Sequence, residues 1–209
     1  HHIPALAHLT CCSSTREEIH QRLEEMKARG IENILALRGD RPKEFVPGPY
    51  TYAIQLIQDI KAQGDFCVGG ACYPEGHPES PGKEQDILYL KEKVEAGCEF
   101  LITQMFFDNT KYFDFVRRCR EAGITVPIIP GIKPLSTLRH LEILPETFGV
   151  KLPEELVREV KAHPDGVREA GTEWAIAQSR ELMAAGVPVL HYYTMSRTTN
   201  IQKIVKAIF

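Results

Sequence analysis

Short apolar runs alternate along this chain with longer amphipathic stretches, and glycines sit where one helical stretch ends and the next run begins. Residues 4–10, 33–37, 66–72, 99–103, 126–130 and 187–193 are short and apolar enough to be strands. Between them, residues 15–29, 50–62, 83–96 and 110–122 carry apolar positions at helical spacing, as Ile19, Leu23 and Met26 do. Gly30, Gly64 and Gly97 supply stops. Residues 133–149 read as irregular, and helices are predicted near 153–162, 172–185 and 199–209. Six strands alternating with helices predict an α/β fold. A (β/α)8 barrel and an open doubly wound sheet both satisfy that order, and both collect the residues after each strand on one rim.

Composition narrows the function. The chain has 209 residues, 43% of them hydrophobic and 25% charged, which suits one substantial core. A net charge of −3 gives no global attraction to nucleic acid or an anionic membrane, so an anion site would have to be local. No apolar run approaches the roughly 20 residues of a membrane-spanning helix, and the first residues have no signal-peptide pattern. The expected setting is the cytoplasm. Cys11, Cys12, Cys67, Cys72, Cys98 and Cys119 lack a repeated short spacing, which favours free thiols over zinc ligands or disulfides.

Polar groups recur directly after the apolar runs. His8 lies inside the first of them and reads first as a satisfied core residue, although Thr10 and the next strand's Arg38 and Asp40 would share its rim. Arg38-Gly39-Asp40 continues an apolar strand, which argues against an exposed adhesion tripeptide. It is either a turn closed by its own ion pair or a ligand contact. In the second case Gly39 admits a flat ligand to the backbone, Arg38 meets an anion, and Asp40 accepts from an N–H-rich heterocycle.

Tyr73-Pro74-Glu75-Gly76-His77-Pro78-Glu79 is more specific, because two X-Pro units stiffen a loop bearing an aromatic ring, an imidazole and two carboxylates. No second histidine stands at ligand spacing, so no metal site is expected. Asp86, Tyr89 and Lys93 form a helical stripe that suits either solvent or a ribose and diphosphate. Gln104 ends a strand with an amide that either the backbone or a pterin or nicotinamide could satisfy. No Gly-x-Gly-x-x-Gly follows a strand, which disfavours a Rossmann nucleotide site.

Taken in order, His8-Leu9-Thr10-Cys11, Ala36-Leu37-Arg38-Gly39-Asp40, the segment 73–79, Thr103-Gln104-Met105-Phe106-Phe107, Pro130-Gly131-Ile132 and His191-Tyr192-Tyr193-Thr194-Met195-Ser196-Arg197 resemble the methylenetetrahydrofolate reductase family. The resemblance spans essentially the whole chain. It implies a (β/α)8 TIM barrel binding FAD, with NADH or NADPH as co-substrate and 5,10-methylenetetrahydrofolate as the group reduced. It implies FAD contacts for His8, Arg38, Gly39, Asp40, Tyr52, Ala53, Tyr73, His77, Asp86 and Lys93. Asp40 and Gln104 are the implied catalytic residues, and Asp40, Gln104 and Arg197 the implied folate contacts.

The resemblance further implies a single catalytic barrel domain over 1–209, with self-association and with no nucleic-acid or membrane partner. Tyr89 and Glu92 depart from the family's usual polar and basic residues on the FAD helix, which weakens the inference for the adenosine end. The family opens with two further βα units, one carrying a glutamate general acid. Six of the eight units are therefore expected here, and the chain is expected to be a fragment. A proline-dehydrogenase-like flavin barrel and a truncated non-catalytic relative are the competing readings.

Overall fold

The computed structural model describes residues 3–41, 48–195 and 198–209. The elements run β1 (Leu6–Thr10), α1 (Arg16–Ala28), β2 (Asn33–Leu37), α2 (Ala53–Gln63), β3 (Cys67–Cys72), α3 (Lys83–Glu95), β4 (Phe100–Thr103), α4 (Asn109–Glu121), β5 (Ile128–Ile129) and β6 (Gly131–Ile132). After these come α5 (His140–Phe148), α6 (Glu154–Ala162), a 3-10 turn at Pro164–Gly166, α7 (Val167–Ala184), β7 (His191–Tyr192) and α8 (Thr199–Ile208). One sheet has the order β1-β2-β3-β4-β5, and a second joins β6 to β7. The expected α/β alternation is present.

The chain forms two compact units, the first comprising 1–72, 87–101 and 122–127, the second 73–86, 102–121 and 128–209. In the first, β1 and β2 pair in parallel with His8 opposite Leu35 and Thr10 opposite Leu37, and β2 pairs in parallel with β3. Ile34, Leu35 and Ala36 are consecutive buried residues, as a strand covered on both faces requires. Helix α1 begins with a capping box: Glu18 N–H donates to Thr15 Oγ1 at 3.2 Å and Thr15 N–H to Glu18 Oε2 at 3.0 Å. That satisfies two otherwise orphaned donors. Its buried residues, Ile19 and Leu23, are the spacing read from the sequence.

The second unit has its own core, in which Met105, Phe107, Leu135, Leu144, Leu156, Val160 and Val167 pack together. Here the structure departs from the sequence expectations. The single strand expected at 126–130 is two short strands in different sheets. The break falls at Pro130, which has no N–H to continue a ladder; its carbonyl instead accepts from His191 N–H at 3.0 Å. Residues 140–148, read as irregular, form α5 despite Pro145, with Gly149 in the left-handed region closing it. Helix α7 starts at Val167 rather than near 172, because burial of Val167 outweighs the low helix propensity of Gly171. The last strand covers only His191–Tyr192.

Candidate functional site

In the first unit the β1–β2 pairing outlasts the strands themselves. Cys11 N–H donates to the Leu37 carbonyl at 3.2 Å and Cys12 N–H to the Arg38 carbonyl at 2.7 Å. Those two bonds lay residues 10–12 alongside 37–39. Gly39 occupies the left-handed region at φ 85°, and a Cβ placed there would lie 3.1 Å from Thr10 Cβ. Any other residue would be strained and crowded. The result is a bare backbone corner flanked by Arg38, which is half-buried, and Asp40, which is exposed. Arg38 Nε donates to the Gly39 carbonyl at 3.3 Å. His8 is exposed, so the core reading of that histidine does not hold: strand alternation turns it to the side opposite buried Leu9, together with Thr10.

Tyr52 and Ala53 sit at the start of α2, where Gln55 Oε1 accepts from both Thr51 and Tyr52 N–H at 2.8 Å. The Tyr52 ring is 56% exposed, available to a ligand. Its neighbour Tyr50 does the anchoring. That side chain is buried, donates to Asp59 Oδ2 at 2.6 Å, and lies beneath Arg16, which also pairs with Asp59. Burial and the Asp59 bond push the Tyr50 phenol far above its ordinary range. Lys93 reaches from α3 to the Ala71 carbonyl at 3.1 Å.

The second unit holds the 73–79 loop. Gly76 N–H donates to the Tyr73 carbonyl at 3.0 Å, and the Tyr73 and His77 rings meet edge to face at 4.5 Å. His77 N–H donates to Asp86 Oδ2 at 3.3 Å, and Glu79 N–H donates to His77 Nδ1 at 3.0 Å. A ring nitrogen that accepts from a backbone amide carries no proton, so in neutral His77 the proton is on Nε2. Asp86 is therefore a loop anchor as well as a site candidate, and the solvent-stripe reading fails for it.

Glu75 Oε1 accepts from Lys151 N–H at 3.0 Å, yet burial raises its carboxyl above the ordinary value, with that bond and nearby lysines only partly opposing. In the unfolded chain the carboxyl regains its ordinary value, so ionised Glu75 costs the folded state stability at neutral pH. The cost disappears below the unfolded pKa and grows as pH rises through the folded one. Glu75→Gln keeps the acceptor and removes the charge. It should melt above wild type at pH 7, with the advantage vanishing once the pH is below the ordinary glutamate range. A pH series of thermal melts checks this, and an advantage that persists in acid would contradict it.

Gln104 is half-buried, and its Oε1 accepts from Met105 N–H at 2.9 Å. This fixes the amide and leaves its NH2 end as the donor for a ligand. The segment is braced from α7: Gln178 Nε2 donates to the Phe106 carbonyl at 2.9 Å and Trp174 Nε1 to the Phe107 carbonyl at 3.0 Å. Thr103, just before it, was not singled out by sequence. Its buried Oγ1 accepts from Gly131 N–H at 2.8 Å, and its carbonyl accepts from Tyr193 O–H at 2.8 Å. One residue thus ties the ends of β4, β6 and β7. A threonine inside an apolar run, matched by a Pro-Gly-Ile segment further on, was the signal available. Arg197 lies outside the described residues.

Within the first unit, then, the structure brings together Thr10, Arg38, Gly39 and Asp40; within the second, Tyr73, His77 and Asp86 form one group and Gln104 belongs to another around Thr103. These features define an α/β protein with polar groups gathered after its strands, the arrangement in which such folds bind ligands. The methylenetetrahydrofolate reductase family model matches residues 1–208, and the chain belongs to that family.

It is 36% identical to a probable methylenetetrahydrofolate reductase (NADPH) of Caenorhabditis elegans, covering 99% of this chain and 32% of that one. It is 38% identical to the 5,10-methylenetetrahydrofolate reductase of Salmonella typhimurium, covering 93% of this chain and 67% of that one. The chain therefore spans about a third of the nematode relative. A solved Clostridium thermocellum protein, described as binding two copies of 5-methyl-5,6,7,8-tetrahydrofolic acid, superposes with a TM-score of 0.52 over 97% of this chain and 92% of its own. At 15% identity it bears on the fold alone.

Proposed function

We propose that the protein reduces 5,10-methylenetetrahydrofolate to 5-methyltetrahydrofolate, with FAD as cofactor and NADH or NADPH as electron donor. Family membership combined with the Gly39 corner carries this reading. A flavin needs close backbone approach at its ring, and Gly39, required by its φ of 85° and by Thr10 and Cys12 packed against it, leaves the chain without a side chain at the end of β2. Cationic and N–H donors suit its diphosphate and ribose, and Arg38, Lys93 and the Nε2–H of His77 are of that chemistry. On this reading His8, Arg38, Gly39, Asp40, Tyr52, Ala53, Tyr73, His77, Asp86 and Lys93 hold the cofactor, which when bound relays a hydride from nicotinamide to folate.

The protein's own residues bind and tune. Asp40 places a carboxylate where the folate's 5-iminium carries positive charge, and Gln104 donates from its amide to the pterin. Arg197 completes the folate contacts. The same proposal takes the chain as part of a (β/α)8 barrel domain that self-associates in the cytoplasm, with no nucleic-acid or membrane partner. Among the described residues, no helix is long and apolar enough to cross a membrane.

The test is to express the complete reading frame and record the visible absorbance of bound flavin. Oxidation of NADH and NADPH is then followed with 5,10-methylenetetrahydrofolate present. Flavin binding with folate-dependent turnover is expected. A flavin-free protein, or one that turns over proline and not folate, would overturn the proposal.

A further inference from the structure

Among the described residues, the second unit contains a cation with no acid to answer it. Lys133 directly follows β6, is half-buried, and makes no hydrogen bond or ion pair among the described residues. Of the other half-buried cations among the described residues, Lys93, Lys111 and Arg118 each meet an oxygen, the Ala71 carbonyl, Asp108 and Asp114 respectively, while Lys91 on α3 does not. Burial pushes the Lys133 ammonium below its ordinary value, with no carboxylate among the described residues to hold it up. The titratable group coupled to it is His140, itself pushed down by burial and then by Lys133. His140 Nδ1 is already occupied, accepting from Ser136 N–H at 3.2 Å. Drawing an ammonium even partly out of water is unfavourable unless an anion or acceptor compensates it, and nothing among the described residues does.

Its place in the fold says where the repayment comes from. β6 and β7 pair in parallel with Gly131 opposite His191 and Ile132 opposite Tyr192, and Tyr193 N–H continues the ladder to the Ile132 carbonyl at 2.9 Å. Strand alternation puts Lys133 on the same face as Gly131. That is the face on which the Thr103 carbonyl and the Tyr193 ring lie against Gly131. Thr103 immediately precedes Gln104, so the lysine follows a strand whose end is tied to the residue beside the proposed folate amide.

We propose that Lys133 recognises an anionic oxygen group, carboxylate or phosphate, of a small-molecule substrate bound at the ends of β4, β6 and β7. This rests on the proposed function for its two candidate sources, the glutamate carboxylates of folate and the diphosphate of the nicotinamide dinucleotide. The ammonium is a point charge on a flexible stem. It contributes binding rather than chemistry.

Calorimetric dissociation constants of the flavin-loaded protein test it, with 5-methyltetrahydrofolate, 5-methyltetrahydropterin (which lacks the glutamate), NAD+ and NADP+ as probes. Lys133→Met should weaken one class of anionic probe by about tenfold, the scale of a charge-assisted hydrogen bond, while Lys133→Arg largely restores it. A loss on the folate that disappears on the pterin identifies the glutamate carboxylate; a loss confined to the dinucleotides identifies the phosphate. If all probes bind within about twofold of wild type, or the carboxylate-free pterin loses as much as the folate, the proposal is overturned. Flavin content and circular dichroism control for folding, and Lys133→Gln carries the same readout should the methionine variant prove unstable. Wild type that binds no flavin refutes the proposed function, whereas wild type that binds every probe with no dependence on residue 133 refutes only the role of Lys133.

Discussion

Alanine at Gly131 is expected to destabilise the protein by about 3 kcal/mol, the upper part of the range for forced overpacking, and to lower Tm by about 10 °C. A Cβ at this position would lie 2.3 Å from the Thr103 carbonyl oxygen and 2.7 Å from Tyr193 Cε2. The first of these is backbone at the end of β4, and it also accepts from the Tyr193 hydroxyl. It cannot retreat without giving up that bond, and moving Gly131 away gives up its own donation to Thr103 Oγ1. Gly123→Ala supplies the comparison. Gly123 has φ 85° but nothing within 4 Å of an added Cβ, so only backbone strain of about 1 kcal/mol is expected. Thermal or denaturant melts of the two variants decide the matter. Equal losses would mean that the contact with Thr103 is not the constraint.

Asp40→Asn should leave flavin bound and reducible by the nicotinamide, while reduction of methylenetetrahydrofolate slows by about 100-fold, the scale of losing one preorganised electrostatic contact to a developing charge. The amide keeps the shape and an acceptor oxygen but not the negative charge that favours an iminium cation. Because Asp40 is exposed in the free protein, the substitution should hardly affect stability, which separates a chemical from a structural loss. Stopped-flow measurement of each half-reaction is the check. Equal slowing of both halves would mean that Asp40 acts only through the flavin it also contacts, and not on the charge of the folate.

Where chemistry is local, the sequence was informative. Strand β2 spans the residues that its apolar run marked, and α1 falls within the 15–29 stretch that its helical spacing marked. The Arg38-Gly39-Asp40 corner was readable because a glycine after a strand, flanked by opposite charges, restricts what the backbone can do. What escaped depended on partners distant in sequence. Pro130 looked like the end of one strand, and its role as a hinge between two sheets becomes clear only with His191 in register beyond it. Pro145 disguised α5, whose burial of Leu144 outweighs an imperfect helix interior. Thr103 looked like an ordinary strand residue until Gly131 and Tyr193 were found bonded to it. Of the two readings weighed for His8, the core one fell to its exposure, because neighbouring residues reveal a strand's alternation but not which of its two faces meets the core.

The order β1-β2-β3-β4-β5 carries a consequence for how the protein is made. Each strand of that sheet lies beside the one synthesised just before it, so the sheet can grow in step with translation and every closure spans a single helical crossover. The β6–β7 pair is the exception. Gly131 must wait for His191 until α5, α6 and α7 have emerged. Until then Thr103 lacks its bond from Tyr193, and the edge of β6 is bare. The interval between synthesis of β6 and of β7 is thus a window in which the unpaired edge of a nascent chain is open to mispairing.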